Sequence, residues 1–158
     1  MRAQYLYRQG ARRALAAALL TCAVSTAVST AAAADPTPLG LWTTIDDRSG
    51  KVRSEVRIYE RDGALHGRIE KIILPGKHER CVACTDERRD QPALGLVIIR
   101  NMKSDGDAWS GGDVLDPENG KVYTATLRLE SEGKVLKLRG YVGLPMFGRT
   151  QTWTRAGP

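Results

Sequence analysis

The sequence predicts an all-β protein, an antiparallel eight-stranded up-and-down barrel, carried behind an export signal. Three observations predict it. Turn-forming clusters recur at intervals of roughly ten residues through most of the chain after position 35, the spacing of sandwiches and barrels. Between them the side chains alternate apolar and polar with a period of two. Helical periodicity is absent over the same stretch.

The elements follow in order. Asp35-Pro36-Thr37-Pro38 is a short stiff leader, and a first strand over residues 40–45 runs into the turn Asp46-Asp47-Arg48-Ser49-Gly50. In the second, residues 51–60, Val52, Val56 and Ile58 share one face, opposite Arg53, Glu55, Arg57 and Tyr59. Asp62-Gly63 supplies the positive φ of a tight hairpin. The third strand, residues 64–73, alternates Leu65, Ile69 and Ile73 against His66, Arg68 and Glu70. The fourth, residues 94–102, is apolar on both faces, as a central strand would be. A fifth spans residues 108–115. Asn119-Gly120 is the strongest short hairpin signal and precedes a sixth strand that puts Tyr123, Ala125, Leu127 and Leu129 on one face. Residues 135–142 and 149–155 complete the set, with a Gly/Pro-rich corner between them. Tight connections between sequence neighbours force antiparallel pairing. Closing the meander removes its exposed edges, and eight strands enclose about enough room for side chains or one small ligand.

The chain opens differently. Arg2, Arg8, Arg12 and Arg13 precede an apolar stretch and a small-residue exit, Ala32-Ala33-Ala34, with no acidic residue before Asp35. That is the order of a cleavable secretory signal over residues 1–34, too short in its apolar core for a membrane span. Leu19-Leu20-Thr21-Cys22 is a poor lipobox because Thr21 stands where a smaller residue belongs, and Arg12-Arg13 is a weak twin-arginine signal. The expected protein is therefore periplasmic or secreted, a single domain over residues 39–158 with no integral span after cleavage. The formal charge of +6 is largely the signal's: without its four arginines, 20 basic groups face 18 acidic ones, interspersed along the strands. A nucleic-acid interface is not supported.

Three features carry candidate chemistry. Cys81-Val82-Ala83-Cys84 lies in the longest connection, residues 74–93, of a length typical of a lid or binding loop. In an oxidising compartment the pair reads first as a local disulfide, with a redox pair or a metal site as alternatives. His78, Cys81 and Cys84 would need a fourth ligand, Glu79 or Asp86, to hold structural zinc. No metal or cofactor is expected. The aspartate-rich turns, including Asp116 to Gly120, lack the ligand spacing of a calcium loop and read as turn chemistry. The third feature is the pair of chain ends. In a closed barrel the first and last strands meet, which brings Trp42 and Trp153 together with Arg149 or Arg155 over an indole. The resulting wall, with Trp109, Tyr141, Gln151 and Arg139, is the candidate ligand site, the polar members orienting what binds. No nucleophile sits in a recognisable elbow with a histidine, so an enzyme is the less favoured reading.

A series of motifs in order makes the chain resemble a known family: Gly40-Leu41-Trp42-Thr43-Thr44, Val56-Arg57-Ile58-Tyr59-Glu60, Gly67-Arg68-Ile69 and Cys81-x-x-Cys84. Trp109-Ser110-Gly111-Gly112, Leu115-Asp116-Pro117-x-x-Gly120-Lys121-x-Tyr123, Arg139-Gly140-Tyr141 and Gly148-Arg149-Thr150-Gln151-x-Trp153 follow. Together they resemble the exported bacterial family called domain of unknown function 2147, over nearly all of the chain beyond the signal. The resemblance implies a lipocalin-like, calycin-type barrel, and the G-x-W opening, Gly40-Leu41-Trp42, with an arginine near the last strand also resembles the calycin signature. Lipocalins usually carry a C-terminal helix and a large loop after the first strand. Here the chain stops after its last strand and the long loop follows the third. The expected function is binding of a small apolar or amphipathic molecule inside the barrel. The alternative is an envelope interaction or stress-related module that uses its outer surface and holds no internal ligand.

Overall fold

The computed structural model describes residues 36–157; the expected signal over residues 1–34 and Cys22 lie outside the described residues. Eight strands follow one another: β1 (Gly40–Ile45), β2 (Val52–Arg61), β3 (Ala64–Ile72), β4 (Val97–Asp105), β5 (Ala108–Asp116), β6 (Lys121–Glu130), β7 (Val135–Tyr141) and β8 (Arg149–Arg155). Each pairs antiparallel with its sequence neighbours, and β8 returns to β1, so the sheet closes as a barrel in the expected up-and-down order. A single 3-10 turn, Pro145–Phe147, interrupts the β7–β8 connection. No helix among the described residues is long and apolar enough to cross a membrane.

Most strand bounds follow the alternation, and two details depart from it. β4 starts at Val97, because Gly95 takes φ 86° and its N–H bonds Ile69 O at 2.8 Å, which keeps residues 94–96 in the connection. Val52 is 40% exposed and does not share the buried face of Val56 and Ile58. Thr44 pairs with Ser54 but Ile45 with Val52, so Arg53 is an extra residue in β2 and the alternation flips across it.

An up-and-down meander puts alternate turns at alternate ends, and the two ends differ here. The start of β1, the end of β8 and the β2–β3, β4–β5 and β6–β7 turns share a sealed end. Trp42, Ile58, Met102, Leu127 and Leu136 are buried among the core residues contributed by five of the strands. Burying a side chain of this size contributes roughly 1.5–3 kcal/mol. Trp42 donates its indole N–H to Pro38 O at 2.7 Å. Arg155 lies over the same ring at 4.3 Å and donates to Gly133 O, Leu39 O and Thr37 O at 2.8, 2.9 and 2.7 Å. Those carbonyls belong to segments that no ladder joins at this end, and one guanidinium satisfies all three.

Elsewhere the wall is drawn tight by glycine. A Cβ on Gly112 would fall 2.1 Å from Arg100 O and 2.6 Å from Met102 Sδ. Beside it, Asn101 takes φ 56°, a left-handed bulge that brings the β4 backbone in close.

The long β3–β4 connection is packed down rather than free. Cys81 and Cys84 form a disulfide, as the oxidised reading expects, and both residues are buried. The pairing removes both thiols from any metal set. The loop rests on the β5–β6 turn: a Cβ on Gly120 would lie 1.9 Å from Ala83 O, and Cys81 Sγ is 3.5 Å from Pro117 O. Arg88, 3% exposed, pins the rest of the loop to the barrel wall. Its Nε reaches both carboxylate oxygens of Asp86 at 3.1 and 3.0 Å, and its Nη1 donates to Val97 O at 3.3 Å.

Candidate functional site: a cavity at the open end of the barrel

The other end carries the β1–β2, β3–β4, β5–β6 and β7–β8 connections and is open. Below the sealed layer the interior faces carry smaller or polar groups, Thr44, Ser54, Val114 and Gly140, and the barrel is not filled. The space left is a cavity of about 760 Å³. Pockets of that size hold drug-sized molecules, where apolar walls supply affinity and a few polar groups set orientation. A small recess of about 50 Å³ adjoins it behind Arg53 and Glu118.

The lining changes character with depth. Trp153 and Leu138, 2% and 3% exposed, form its innermost apolar surface. Ile69, Ile98, Val114 and Tyr123 continue the walls upward. Polar atoms appear where β1, β2 and β8 approach the mouth. Thr44 and Ser54 share a hydroxyl hydrogen bond of 2.8 Å, and Gln151 Oε1 accepts the Trp153 indole N–H at 3.1 Å. Gln151 passes its own N–H to Asp47 Oδ2 at 2.7 Å.

The mouth is a ring of paired charges. Arg53, the bulged residue of β2, donates to Asp46 Oδ2 at 2.9 Å and also to Glu118, which takes Arg48 at 3.1 Å on its second oxygen. Arg149 pairs with Asp47. Hydrogen bonds from the Ser49 hydroxyl and N–H, with help from Arg53, hold the Asp46 carboxyl down at about 2. Glu118 is lowered chiefly by its bond from Arg53. Desolvation opposes the charge on Arg53, yet its bonds to Glu118 and Asp46 outweigh that, and its pKa is raised. These shifts keep Asp46, Glu118 and Arg53 charged at neutral pH.

Of the six residues predicted to form the site, the fold gathers three: Tyr141, Gln151 and Trp153 line the cavity. The other three do not line it. Trp42 and Trp153 do belong to adjoining strands, but Trp42, fully buried, is the plug of the sealed end, under Arg155 rather than Arg149. Trp109 pairs with Leu127 near that end and packs half-buried against the core. Arg139 donates to Pro145 O at 2.8 Å and to Thr150 Oγ1 at 2.8 Å, which ties the 3-10 corner to β7. The charged ring was absent from the prediction. Asp46 to Ser49 and Asp116 to Gly120 read as turns, which they are, and the bulge that brings Arg53 between them has no signature in the alternation.

Among the described residues, no group of three or more His, Cys, Asp or Glu is placed to hold a metal ion. His66 is 4% exposed, stacks on Tyr59 at 5.8 Å and leaves Nδ1 without a partner; burial lowers its pKa. It does not line the cavity.

Residues 40–155 match the family described as "Uncharacterized protein conserved in bacteria (DUF2147)", from the first residue of β1 to the last of β8. The chain belongs to this family. Among solved structures, protein HP1028 from Helicobacter pylori, described as belonging to the lipocalin family, is similar at 20% identity with a TM-score of 0.67. The match covers 77% of this chain and 84% of that one. At that identity the likeness establishes the fold, a lipocalin-like barrel. No curated protein matches the chain.

Proposed function

We propose that this DUF2147 protein binds one small apolar or amphipathic molecule in the open end of its barrel, after export from the cytoplasm. One observation carries the reading: a cavity of about 760 Å³ with an indole and aliphatic floor beneath a polar mouth. The lipocalin-like fold supports it, since closed eight-stranded barrels of this kind have room for a ligand. Export is supported by the residues 1–34 pattern and by a disulfide, which persists in oxidising compartments.

A neutral apolar dye, N-phenyl-1-naphthylamine, tests the cavity. Its fluorescence should rise on binding, and native mass spectrometry of protein from its own host should show a co-purifying mass. Val114→Trp puts an indole into the space and should abolish dye binding while leaving the circular dichroism unchanged. Undiminished binding by that variant would overturn the reading. N-terminal sequencing of protein from the cell envelope should begin after Ala34; an intact Met1 in the cytoplasmic fraction would refute export.

A second reading has its own observation. Val142, Leu144, Met146 and Phe147 are 72, 60, 73 and 78% exposed on one corner beside the mouth, an apolar patch suited to a partner. If the outer surface is what works, Leu144→Glu with Met146→Glu should abolish partner capture and spare dye binding.

A further inference from the structure

The mouth of the cavity is unequal in what it offers a ligand. Every carboxylate on it is already occupied by at least two donors. Asp46 accepts from the Ser49 N–H, the Ser49 hydroxyl and Arg53; Asp47 accepts from Gln151 and Arg149. Glu118 accepts from Arg48 and Arg53, and Asp116 from the Glu118 N–H and the Asn119 amide, both at 2.9 Å. Arg53 apart, the cations are in the opposite condition. Arg48 and Arg149 have one carboxylate partner each, with side chains 70% and 68% exposed. A guanidinium carries five N–H donors, so most of theirs are unengaged, on residues that line the cavity. Lys77 also lines the cavity and makes no hydrogen bond or ion pair among the described residues.

We infer that the ligand is an amphiphile with an anionic head, seated at the mouth against Arg48, Arg149 and Lys77, its apolar tail directed down to Trp153 and Leu138. The inference rests on the cavity reading and adds the class of molecule. An anion meets donors that need no rearrangement. A cationic head would have to displace guanidinium groups from carboxylates that already hold them, and a neutral head would leave the open donors to water. The depth order agrees: the charged side chains stand at the rim, the hydroxyl and amide groups below them, and the indole at the bottom. A carboxylate and a phosphate ester share this chemistry.

Four ligands with one tail and different heads decide it: dodecanoate, dodecyl phosphate, dodecanol and dodecyltrimethylammonium, titrated into the purified protein by calorimetry below their micellar concentrations. The anions should bind at least about tenfold more tightly than the alcohol, the size expected of charge-assisted hydrogen bonds. The tighter of the two anions identifies the head as carboxylate or phosphate. In the double variant Arg48→Gln, Arg149→Gln the preference should shrink to about twofold while dodecanol binds as before. Equal binding of alcohol and anions by the unaltered protein, or tighter binding of the trimethylammonium, overturns the anionic head and leaves the cavity reading standing. If none of the four binds and the neutral dye does not either, the cavity reading itself falls.

Discussion

Replacing Arg155 with alanine removes the group that closes the sealed end. Three hydrogen bonds to main-chain carbonyls are lost, at 2.8, 2.9 and 2.7 Å, together with the stacking over Trp42 at 4.3 Å. A hydrogen bond contributes about 0.5–1.5 kcal/mol net, and a cation over an indole about 0.5–1 kcal/mol at a partly exposed site. Two of the three carbonyls lie near the surface and regain water when the guanidinium goes, so the lower half of each range applies. The expected loss is about 2–3 kcal/mol, or roughly 8–12 °C in Tm for a domain of this size. Equilibrium unfolding in urea measures it, and an unchanged slope would show that the folded state keeps its compactness. Arg155→Lys keeps the charge but has no planar fork to span three carbonyls, and should recover less than half. A loss below about 1 kcal/mol for the alanine variant, or a lysine variant as stable as the parent, would refute the role given to this side chain.

Gly112→Ala should cost about 3 kcal/mol, because its Cβ meets Arg100 O and backbone that cannot withdraw, and a urea midpoint close to the parent's would contradict the packing. Replacing Cys81 and Cys84 together by alanine should leave the fold intact and lose less than about 3 kcal/mol, since a ring with a sequence separation of 3 restrains little of the unfolded chain; loss of the β circular dichroism would show that the loop nucleates the barrel. Acid should destabilise the protein in a defined window. Asp46, bound by Ser49, and Asp86, bound by Arg88, both titrate near 2 in the folded chain against an ordinary 3.8. Folded pKa values depressed in this way give stability that is complete above about pH 4 and is lost as the pH falls toward 2. Asp46→Asn should lower stability at pH 7 and flatten that acid limb, and an unchanged limb would argue against the Ser49 bonds.

The sequence made the strand order readable because each inner face leaves a period of two, and Asp62-Gly63 and Asn119-Gly120 mark their turns without tertiary help. β1 and β8 appear with the bounds the alternation implies. What escaped was whatever a bulge or a packed loop decides. An extra residue at Arg53, left-handed Asn101 and Gly111, and the slip between Trp109 and Gly112 change which side chains face inward, and alternation alone does not announce them. Trp153 and Gln151 were legible as cavity residues because β8 is regular. Trp42 belongs to the filled end of the barrel, which no local signal tells from the open one, and Arg139 stands on the outer face of β7, opposite the buried Leu136 and Leu138. The hydrogen bonds at the mouth join residues up to 104 positions apart, and its carboxylates sit in segments whose local role as turns was already sufficient. Arg88 is another such case: an arginine in a polar loop reads as exposed until the wall it packs against is known.

The seam between β1 and β8 has a mechanical consequence. Only Trp42–Arg155 and Thr43–Thr154 are in register there, while β6 and β7 share seven such pairs. The two strands run antiparallel with the start of one beside the end of the other, so a pull on the chain ends would load this join in peel, one rung after another, rather than in shear. A barrel tethered from its leader would therefore part along the line where its ends meet, with the Arg155 clasp as the first bond to carry the force.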